Sequence, residues 1–291
     1  MSCYIKLMRP HHYIKNLLIF GALVCSGQLF NPVKFKAAVS GFAAFCMISS
    51  MVYIVNDIRD KEKDRLHPVK HTRPIASGKV SERSAWGFAA FLLLLTLIFN
   101  FFIYRPVSTC LLALYLILNI FYSFGMKNVP LLDVAILVSG FLIRMIYGAI
   151  ITEIPVSNWL YLTLITLAFY FSLGKRRNES RNGPDGKAVT RTVLQYYSID
   201  FLDKNMYMCL ALANTFYALW CMDSETVSHY GLNLTFTVPI ILLITMKYSM
   251  DIESGDGRGA DGDPVEVLLH DRVLCFLCLF YVFIMFFLLY L

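Results

Sequence analysis

A run of apolar residues leads directly into a group of carboxylates, in the sequence VYIVNDIRDKEKDRLHP at residues 52–68. At helical spacing Asp57, Asp60 and Asp64 share one face, and Asn56 lies at its edge. Acidic side chains at the end of a membrane span are costly unless a cation meets them. Hard oxygen ligands in such a group suit Mg²⁺ that also touches a phosphate. We therefore expect these three aspartates to be metal ligands and catalytic residues, with Asn56 contacting the substrate.

A solvated helix end is the alternative explanation for these carboxylates. Basic residues alternate with them and could neutralise them locally: Arg59, Lys61, Lys63 and Arg65. We favour the metal site because the acidic face begins directly where the apolar run ends, which a solvated helix end does not require.

The segment that follows the aspartates is basic, HPVKHTRPIASGKVS at residues 67–81. Arginine offers a planar fork for phosphate oxygens and lysine offers a point charge, so we expect Lys70 and Arg73 to bind phosphate. The alternative is that these cations only mark the cytoplasmic side. Gly78 is typical of a turn, and Ser81 is suited to cap the N-terminus of the next helix.

Composition indicates a membrane protein. Of 291 residues, 57% are apolar and 16% are charged, whereas soluble domains carry about 25% charged residues. The net charge of +6 does not indicate a nucleic-acid partner, because the basic residues lie in short loops between apolar runs. The eight cysteines lie almost entirely within apolar runs, which indicates packing rather than disulfides or a metal finger.

The apolar runs predict an all-α, polytopic membrane domain over residues 1–291. A span needs about 20 residues. Nine runs fit: 16–31, 36–55, 84–103, 107–125, 130–150, 157–174, 197–221, 233–249 and 272–291. The positive-inside rule places the N-terminus and three long polar loops, 56–83, 175–196 and 250–271, in the cytoplasm. A weak echo between Arg9-Pro10 and Arg73-Pro74 is not evidence of a repeat.

Several motifs together resemble a known family. NDxxDxxxD after a membrane helix, followed by HPxKxxRPIASG, resembles the UbiA superfamily of intramembrane prenyltransferases. Further segments are similar to one branch of it, the decaprenyl-phosphate phosphoribosyltransferases. These are RPHHYIKN at 9–16, DVAILVSGFLIRMIYGA at 133–149, LGKRRNE at 173–179, YYSIDFLD at 196–203 and GDPVEVLLHDR at 262–272.

The resemblance implies a fold and a reaction. It implies a UbiA-like bundle around a cavity that opens to the cytoplasm, in a bacterial plasma membrane, and it is compatible with a homo-oligomer. Enzymes of this branch use Mg²⁺ and move a 5-phosphoribosyl group from phosphoribosyl diphosphate to a polyprenyl phosphate. Diphosphate leaves, and the product feeds arabinan synthesis for the cell wall.

The same resemblance adds candidate residues near the second long loop. We expect phosphate contacts from Lys175, Arg176 and Arg177, although a charge cluster that ends a span is the alternative. The superfamily carries a second aspartate-rich motif in this region, here reduced to DxxD after tyrosines. We expect it to bind metal or ribose hydroxyls through Tyr197, Asp200 and Asp203.

Ionisable residues within the predicted spans complete the set of candidates. Lys15 and Asn16 open the first span, and Arg144 lies deep in the fifth. Such residues usually face a cavity or a partner, so we expect all three to bind substrate. For Arg144 two interpretations stay open, a contact with the acceptor phosphate or an ion pair with a carboxylate of another helix.

Two other functions stay open. A prenyltransferase that joins a prenyl diphosphate to an aromatic acceptor would share the first aspartate motif but should show a fuller second one. A non-catalytic lipid transporter would explain the spans and Arg144, but not the ordered aspartate and Arg-Pro segments.

Overall fold

The computed structural model describes residues 3–67, 70–103, 105–181, 192–253, 267–268 and 270–291, which are helices and turns without strands. The predicted loops at 175–196 and 250–271 therefore lie partly outside the described residues. The chain divides into two compact units. The first holds the described residues up to Pro155, and the second holds those from Val156 onward.

In the first unit, long helices surround a central one. The helices are α1 (Cys3–Met8), a 3₁₀ helix (Pro10–Phe20), α2 (Gly21–Cys25), α3 (Pro32–Arg59), α4 (Lys61–Leu66), α5 (Glu82–Phe101), α6 (Pro106–Ser123) and α7 (Leu132–Thr152). Helix α3 packs against α5, α6 and α7, and the 3₁₀ helix packs against α3 and α7. Short 3₁₀ turns follow at Lys70–Thr72 and Met126–Asn128.

In the second unit, α8 packs along α9. The elements are α8 (Asn158–Arg181), a 3₁₀ turn (Thr192–Tyr196), α9 (Ile199–Met222), α10 (Ser224–Tyr230), a 3₁₀ helix (Leu232–Thr237), α11 (Val238–Glu253) and α12 (Arg272–Tyr290). Helix α11 packs against α9 and α12.

Side-chain caps set the starts of four of these helices. The Asn31 side chain accepts hydrogen bonds from the backbone N–H groups of Val33 and Lys34, and Pro32 occupies the first turn of α3. The predicted cap at Ser81 is confirmed, because its Oγ accepts from the backbone N–H of Ser84. Ser198 and Asp271 cap α9 and α12 in the same way.

Two apolar clusters hold the first unit together. One joins the 3₁₀ helix, α3, α6 and α7: Ile19, Phe45, Ile48, Val52, Leu112, Tyr115, Ile143, Tyr147 and Ile151. The other lies beneath the loop between α4 and α5: Leu7, Ile54, Ile75, Val80, Ala85, Ala89 and Leu92. Burial of such side chains is the main driving force for packing, so both α3 and this loop are held by their apolar faces.

The membrane character is confirmed, whereas the count of nine spans is not. Six described helical segments are long and apolar enough to cross a membrane: Pro32–Arg59, Glu82–Phe101, Pro106–Ser123, Leu132–Thr152, Leu232–Glu253 and Arg272–Tyr290. The predicted spans 157–174 and 197–221 are helical as α8 and α9 but are not among the six.

The first predicted span, 16–31, is not one continuous α-helix. Its residues belong to the 3₁₀ helix, to the short α2 and to a turn at Ser26–Gly27. Gly27 has φ +68°, a left-handed conformation that glycine adopts readily and that commonly ends a helix.

Candidate functional site

Two of the three predicted metal-binding aspartates meet at one arginine. Asp57 lies in the last turn of α3, and Asp64 lies in α4. Arg73 Nη1 donates hydrogen bonds to Asp57 Oδ1 at 3.1 Å and to Asp64 Oδ2 at 2.6 Å. Arg9 Nη2 donates to the same Asp57 oxygen at 2.5 Å. We call Asp57, Asp64, Arg9 and Arg73 the acid–arginine cluster.

Asp60 takes a different partner from the other two aspartates. Helix α3 ends at Arg59 and α4 begins at Lys61, so Asp60 lies in the break and the predicted face is not continuous. The Lys127 Nζ donates to both carboxylate oxygens of Asp60, at 3.0 and 3.1 Å. Asp60 is therefore held by the turn after α6 rather than by the acid–arginine cluster.

Three of the four basic residues that alternate with the aspartates do not neutralise them, because they bind other groups. The Arg59 guanidinium lies 3.9 Å from the centre of the Phe124 ring. The other two bind glutamates, Lys61 with Glu82 at 2.6 Å and Arg65 with Glu62 at 3.0 Å. The solvated helix end that the alternating charges suggested is thus not supported by these pairs.

Arg9 belongs to the acid–arginine cluster, although it is not among the site residues predicted from the sequence. The sequence placed it only in the RPHHYIKN motif and in the weak Arg-Pro echo. Yet two of the three Arg-Pro dipeptides of the chain, at 9–10 and 73–74, place their arginine on Asp57, whereas Arg105 of the third binds Glu153. The weak echo between Arg9-Pro10 and Arg73-Pro74 was the signal that could have found it. Sequence spacing alone cannot show that two arginines 64 positions apart share a carboxylate.

The loop that carries Arg73 is ordered by its own turns and by burial. Ile75 and Val80 are buried in the second apolar cluster. The Ser77 N–H donates to the Arg73 carbonyl at 2.8 Å, and Gly78 has φ +76°, as a predicted turn glycine can. Lys70 is exposed at the start of this loop.

The remaining predicted residues of the first unit lie within the bundle. Asn56 Oδ1 accepts a hydrogen bond from Ser123 Oγ at the end of α6. Asn16 is buried, and its side chain bonds Cys46, Ser49 and Arg144. Lys15 is only partly buried.

The second unit contains a separate charged network, which we call the Arg177 network. The Arg177 guanidinium, in α8, binds Asp203 of α9 and lies 3.5 Å from Glu253 of α11. Tyr207 OH donates to the same Glu253 oxygen at 2.5 Å. The Nη1 atom of Arg177 is buried and has no hydrogen-bond partner among the described residues. The neighbouring Arg176 is fully buried and binds Glu179 at 2.7 Å.

The predicted DxxD pair therefore divides between two environments. Asp203 joins the Arg177 network, whereas Asp200 is exposed and pairs with Lys204 at 2.7 Å. Tyr197 is buried and stacks on Phe201, with ring centres 6.0 Å apart. Lys175 is only partly buried at the end of α8.

A further ion-paired group joins α11 to the start of α12. Lys247 binds Asp251 one turn along α11 and donates to Asp271 Oδ2 at 2.8 Å. The hydrogen bond from Lys247, together with the one from the backbone N–H of Leu274, holds the pKa of the Asp271 carboxyl below its usual range. None of these residues is a candidate predicted from the sequence.

The acid–arginine cluster fits a divalent metal in one respect. Within the described ranges, no three acidic, histidine or cysteine side chains gather closely enough to hold a metal by themselves. However, one oxygen each from Asp57 and Asp64 converges on a single cationic nitrogen. Mg²⁺ commonly takes only one or two carboxylates and completes its shell with water and substrate phosphates. The donor set is therefore suitable for Mg²⁺ with a diphosphate.

The fold and these contacts define an integral membrane protein of α-helices, with buried carboxylates and arginines at the end of a span. The model of the UbiA prenyltransferase family matches residues 17–250. The chain belongs to this family, and it is a membrane transferase.

Curated relatives cover nearly the whole chain. The decaprenyl-phosphate phosphoribosyltransferase of Mycolicibacterium smegmatis is 33% identical over 94% of this chain and 88% of its own length. The enzyme of the same name from Corynebacterium glutamicum is 32% identical over 96% of this chain and 84% of its own. A solved structure of a UbiA homolog from Archaeoglobus fulgidus, bound to DMAPP and Mg²⁺, has a TM-score of 0.75 and 20% identity over 99% of both chains. That similarity shows the fold.

Proposed function

We propose that this protein transfers a 5-phosphoribosyl group from phosphoribosyl diphosphate to a polyprenyl phosphate, such as decaprenyl phosphate, and releases diphosphate. The observation that carries the choice of donor is the similarity to enzymes named decaprenyl-phosphate phosphoribosyltransferase, 33% identical over 94% of this chain. The acid–arginine cluster would serve any diphosphate donor, whereas this similarity favours the phosphoribosyl one. The product would enter arabinan precursor synthesis at the cytoplasmic face of a bacterial plasma membrane.

The acid–arginine cluster supplies the groups that this donor needs. Asp57 and Asp64 would hold Mg²⁺, which when bound neutralises charge on the departing diphosphate. Arg9 and Arg73 carry guanidinium forks suited to diphosphate oxygens, and both already lie against Asp57. Lys127, which forms an ion pair with Asp60, adds a third cation.

For the transfer, the protein mainly has to position the donor and the acceptor phosphate. The bond between the anomeric carbon and diphosphate breaks, and a bond to an oxygen of the acceptor phosphate forms. Because that phosphate is already anionic at neutral pH, no strong general base is required. The cluster therefore acts by orienting the donor and by stabilising charge on the leaving group.

The other predicted substrate contacts differ in the solvent exposure of their side chains. Four with exposed or partly exposed side chains stay proposed substrate contacts: Lys15, Lys70, Lys175 and Asp203. Asp200, exposed and paired with Lys204, is not proposed as one. The buried ones are already bound within the bundle or the Arg177 network: Asn16, Arg144, Arg176, Arg177 and Tyr197. For the second group a role in holding the site is better supported than direct contact.

A transfer assay tests the proposal. Purified protein in lipid nanodiscs is supplied with Mg²⁺, decaprenyl phosphate and phosphoribosyl diphosphate labelled in the ribose. Label should move into the lipid fraction, and a chelator such as EDTA should stop the transfer. In a parallel reaction, dimethylallyl diphosphate is supplied with an aromatic acceptor. If the prenyl group is transferred in that reaction while the ribose label of the first reaction stays in the aqueous fraction, the protein is a prenyltransferase instead.

A further inference from the structure

Arg144 is a buried cation whose partners are all neutral. Its Nε donates to Asn16 Oδ1 at 2.8 Å, its Nη1 to the Gly140 carbonyl at 2.6 Å, and its Nη2 to Tyr115 OH at 3.1 Å. Its guanidinium also lies 5.0 Å from the Phe45 ring centre. Throughout the part of the chain that the structure describes, no carboxylate pairs with it. A buried charge without a counter-ion is unfavourable, so Arg144 contributes through the groups that it holds.

Asn16 connects Arg144 to α3. Its amide oxygen accepts from Arg144, and its amide nitrogen donates to Cys46 Sγ at 3.2 Å and Ser49 Oγ at 3.3 Å. Asn16 is 1% exposed. Both ends of this carboxamide are therefore used to hold the 3₁₀ helix between α3 and α7.

Gly148, one turn after Arg144 on α7, lets the same segment approach more closely. A Cβ at Gly148 would lie 2.1 Å from the Ile19 carbonyl oxygen, which is backbone and cannot move aside. A Cβ at Gly21 would lie 2.8 Å from Met145 Sδ. Residues 16–21 are thus fixed to α7 by a buried hydrogen bond and by close backbone contact.

The other end of this segment is Arg9, in an unfavourable backbone conformation. Arg9 has φ +52° and ψ +60°, the left-handed region that residues with a Cβ seldom adopt. Such conformations persist where the surroundings fix the chain on both sides. Before Arg9, the Met8 carbonyl accepts from Ser50 Oγ at 3.0 Å. After it, the anchors on α7 hold the segment, and the Arg9 guanidinium reaches Asp57.

We propose that Arg144 and Gly148 anchor the N-terminal segment (residues 9–21) to α7 and thereby position Arg9 against Asp57. Arg144 acts through this segment and not on the substrate, because the α3 residues that Asn16 contacts precede Asp57 by roughly 12–16 Å of helix. It is a positioning residue for the donor site. Only the statement that Arg9 serves the donor rests on the proposed function; the anchor does not.

Hydrogen–deuterium exchange tests the anchor without any assay of activity. In Arg144→Met and in Gly148→Ala, backbone amides of residues 11–20 should exchange about tenfold faster than in the wild type, while those of α5 stay unchanged. Gly87→Ala is the matched control, because a Cβ at this α5 glycine meets nothing within 4 Å. Unchanged exchange over residues 11–20 in both α7 variants would overturn the anchor.

Kinetics test the positioning of Arg9. Arg144→Met should raise the KM for phosphoribosyl diphosphate about tenfold, with kcat and the KM for the lipid changed far less. In an Arg9→Met background, Arg144→Met should add almost nothing, because both changes remove the same contact. Multiplying effects of the two variants would overturn the positioning role.

The two measurements separate this proposal from the proposed function. If the wild type transfers no phosphoribosyl group, the proposed function fails, and faster exchange in both α7 variants still supports the anchor. If the wild type transfers the group but Arg144→Met leaves the donor KM unchanged, the positioning of Arg9 is overturned and the proposed function stands.

Discussion

The acid–arginine cluster and the Arg177 network use the same residue types with opposite burial. In the first unit the carboxylates are buried, with Asp57 and Asp64 side chains 4% and 6% exposed, while Arg73 is 28% exposed. In the second unit the guanidinium is buried, with Arg177 3% exposed, while Asp203 and Glu253 are 31% and 49% exposed.

The difference determines what each group can offer to a ligand. A buried charge is held by its surroundings, because moving it is costly, whereas an exposed partner can exchange with water or with a ligand. The first unit therefore presents fixed carboxylates whose cations can be exchanged, as a metal and diphosphate site requires. The second presents a fixed cation whose exposed carboxylates an anionic ligand could replace.

The largest expected effect comes from neutralising a fixed carboxylate. Asp57→Asn should lower the transfer rate about a thousandfold, because the metal and both arginines lose their shared charge. The side chain is nearly isosteric, so the protein should still elute as a folded species in size-exclusion chromatography. Asp200→Asn, at an exposed aspartate, is the matched control. A rate close to that of the wild type in Asp57→Asn would remove the metal-site argument.

Removing the fixed cation of the second unit should act on stability. Arg177→Met leaves the carboxylates of Asp203 and Glu253 without their partner. It should reduce the free energy of unfolding by about 2 kcal/mol, less than for fully buried carboxylates, because water reaches both. Arg73→Met should destabilise the protein more, since it leaves the buried carboxylate of Asp64 without its cation. Equal shifts in the two variants, measured by a thiol-reactive unfolding assay in detergent, would contradict the comparison.

A conservative change at an exchangeable cation should act on donor binding. Arg73→Lys keeps the charge but loses the guanidinium fork, so the KM for phosphoribosyl diphosphate should rise about tenfold. The KM for the lipid phosphate should stay near the wild-type value. Initial rates at varied concentrations of each substrate measure both, and an equal rise in the two KM values would argue against a specific role with the donor.

The smallest effect is expected where both partners are exposed. The Asp200 and Lys204 side chains are 75% and 74% exposed, and such pairs add little to stability. Asp200→Ala should change the transfer rate less than about twofold and leave the unfolding temperature unchanged. A large loss of activity would instead show that Asp200 contacts substrate as the DxxD pattern predicted.

Local pattern was sufficient for much of the fold. Apolar length predicted the long helices, and Ser81 was recognised as a cap because its hydrogen bond to Ser84 spans only three residues. The first predicted span, 16–31, is not one continuous α-helix. Apolar composition does not distinguish a 3₁₀ from an α-helix, and Gly148 of α7, far along the chain, allows the close approach of Ile19.

For the candidate site, the sequence by itself determined which chemistry was present. Asp57 and Asp64 follow a span at helical spacing, and Arg73 follows them within one loop, so all three could be named. These residues are neighbours in the chain, and short-range geometry limits how far apart they can lie.

Only the tertiary structure decided how these residues are paired. It separated Asp60 from the other aspartates, brought Arg9 to Asp57, and connected Arg144 to Asn16 across 128 positions. It also decided which charge of each pair is buried. Such contacts arise from the packing of helices that are distant in the chain, and composition and spacing do not encode which of their faces meet.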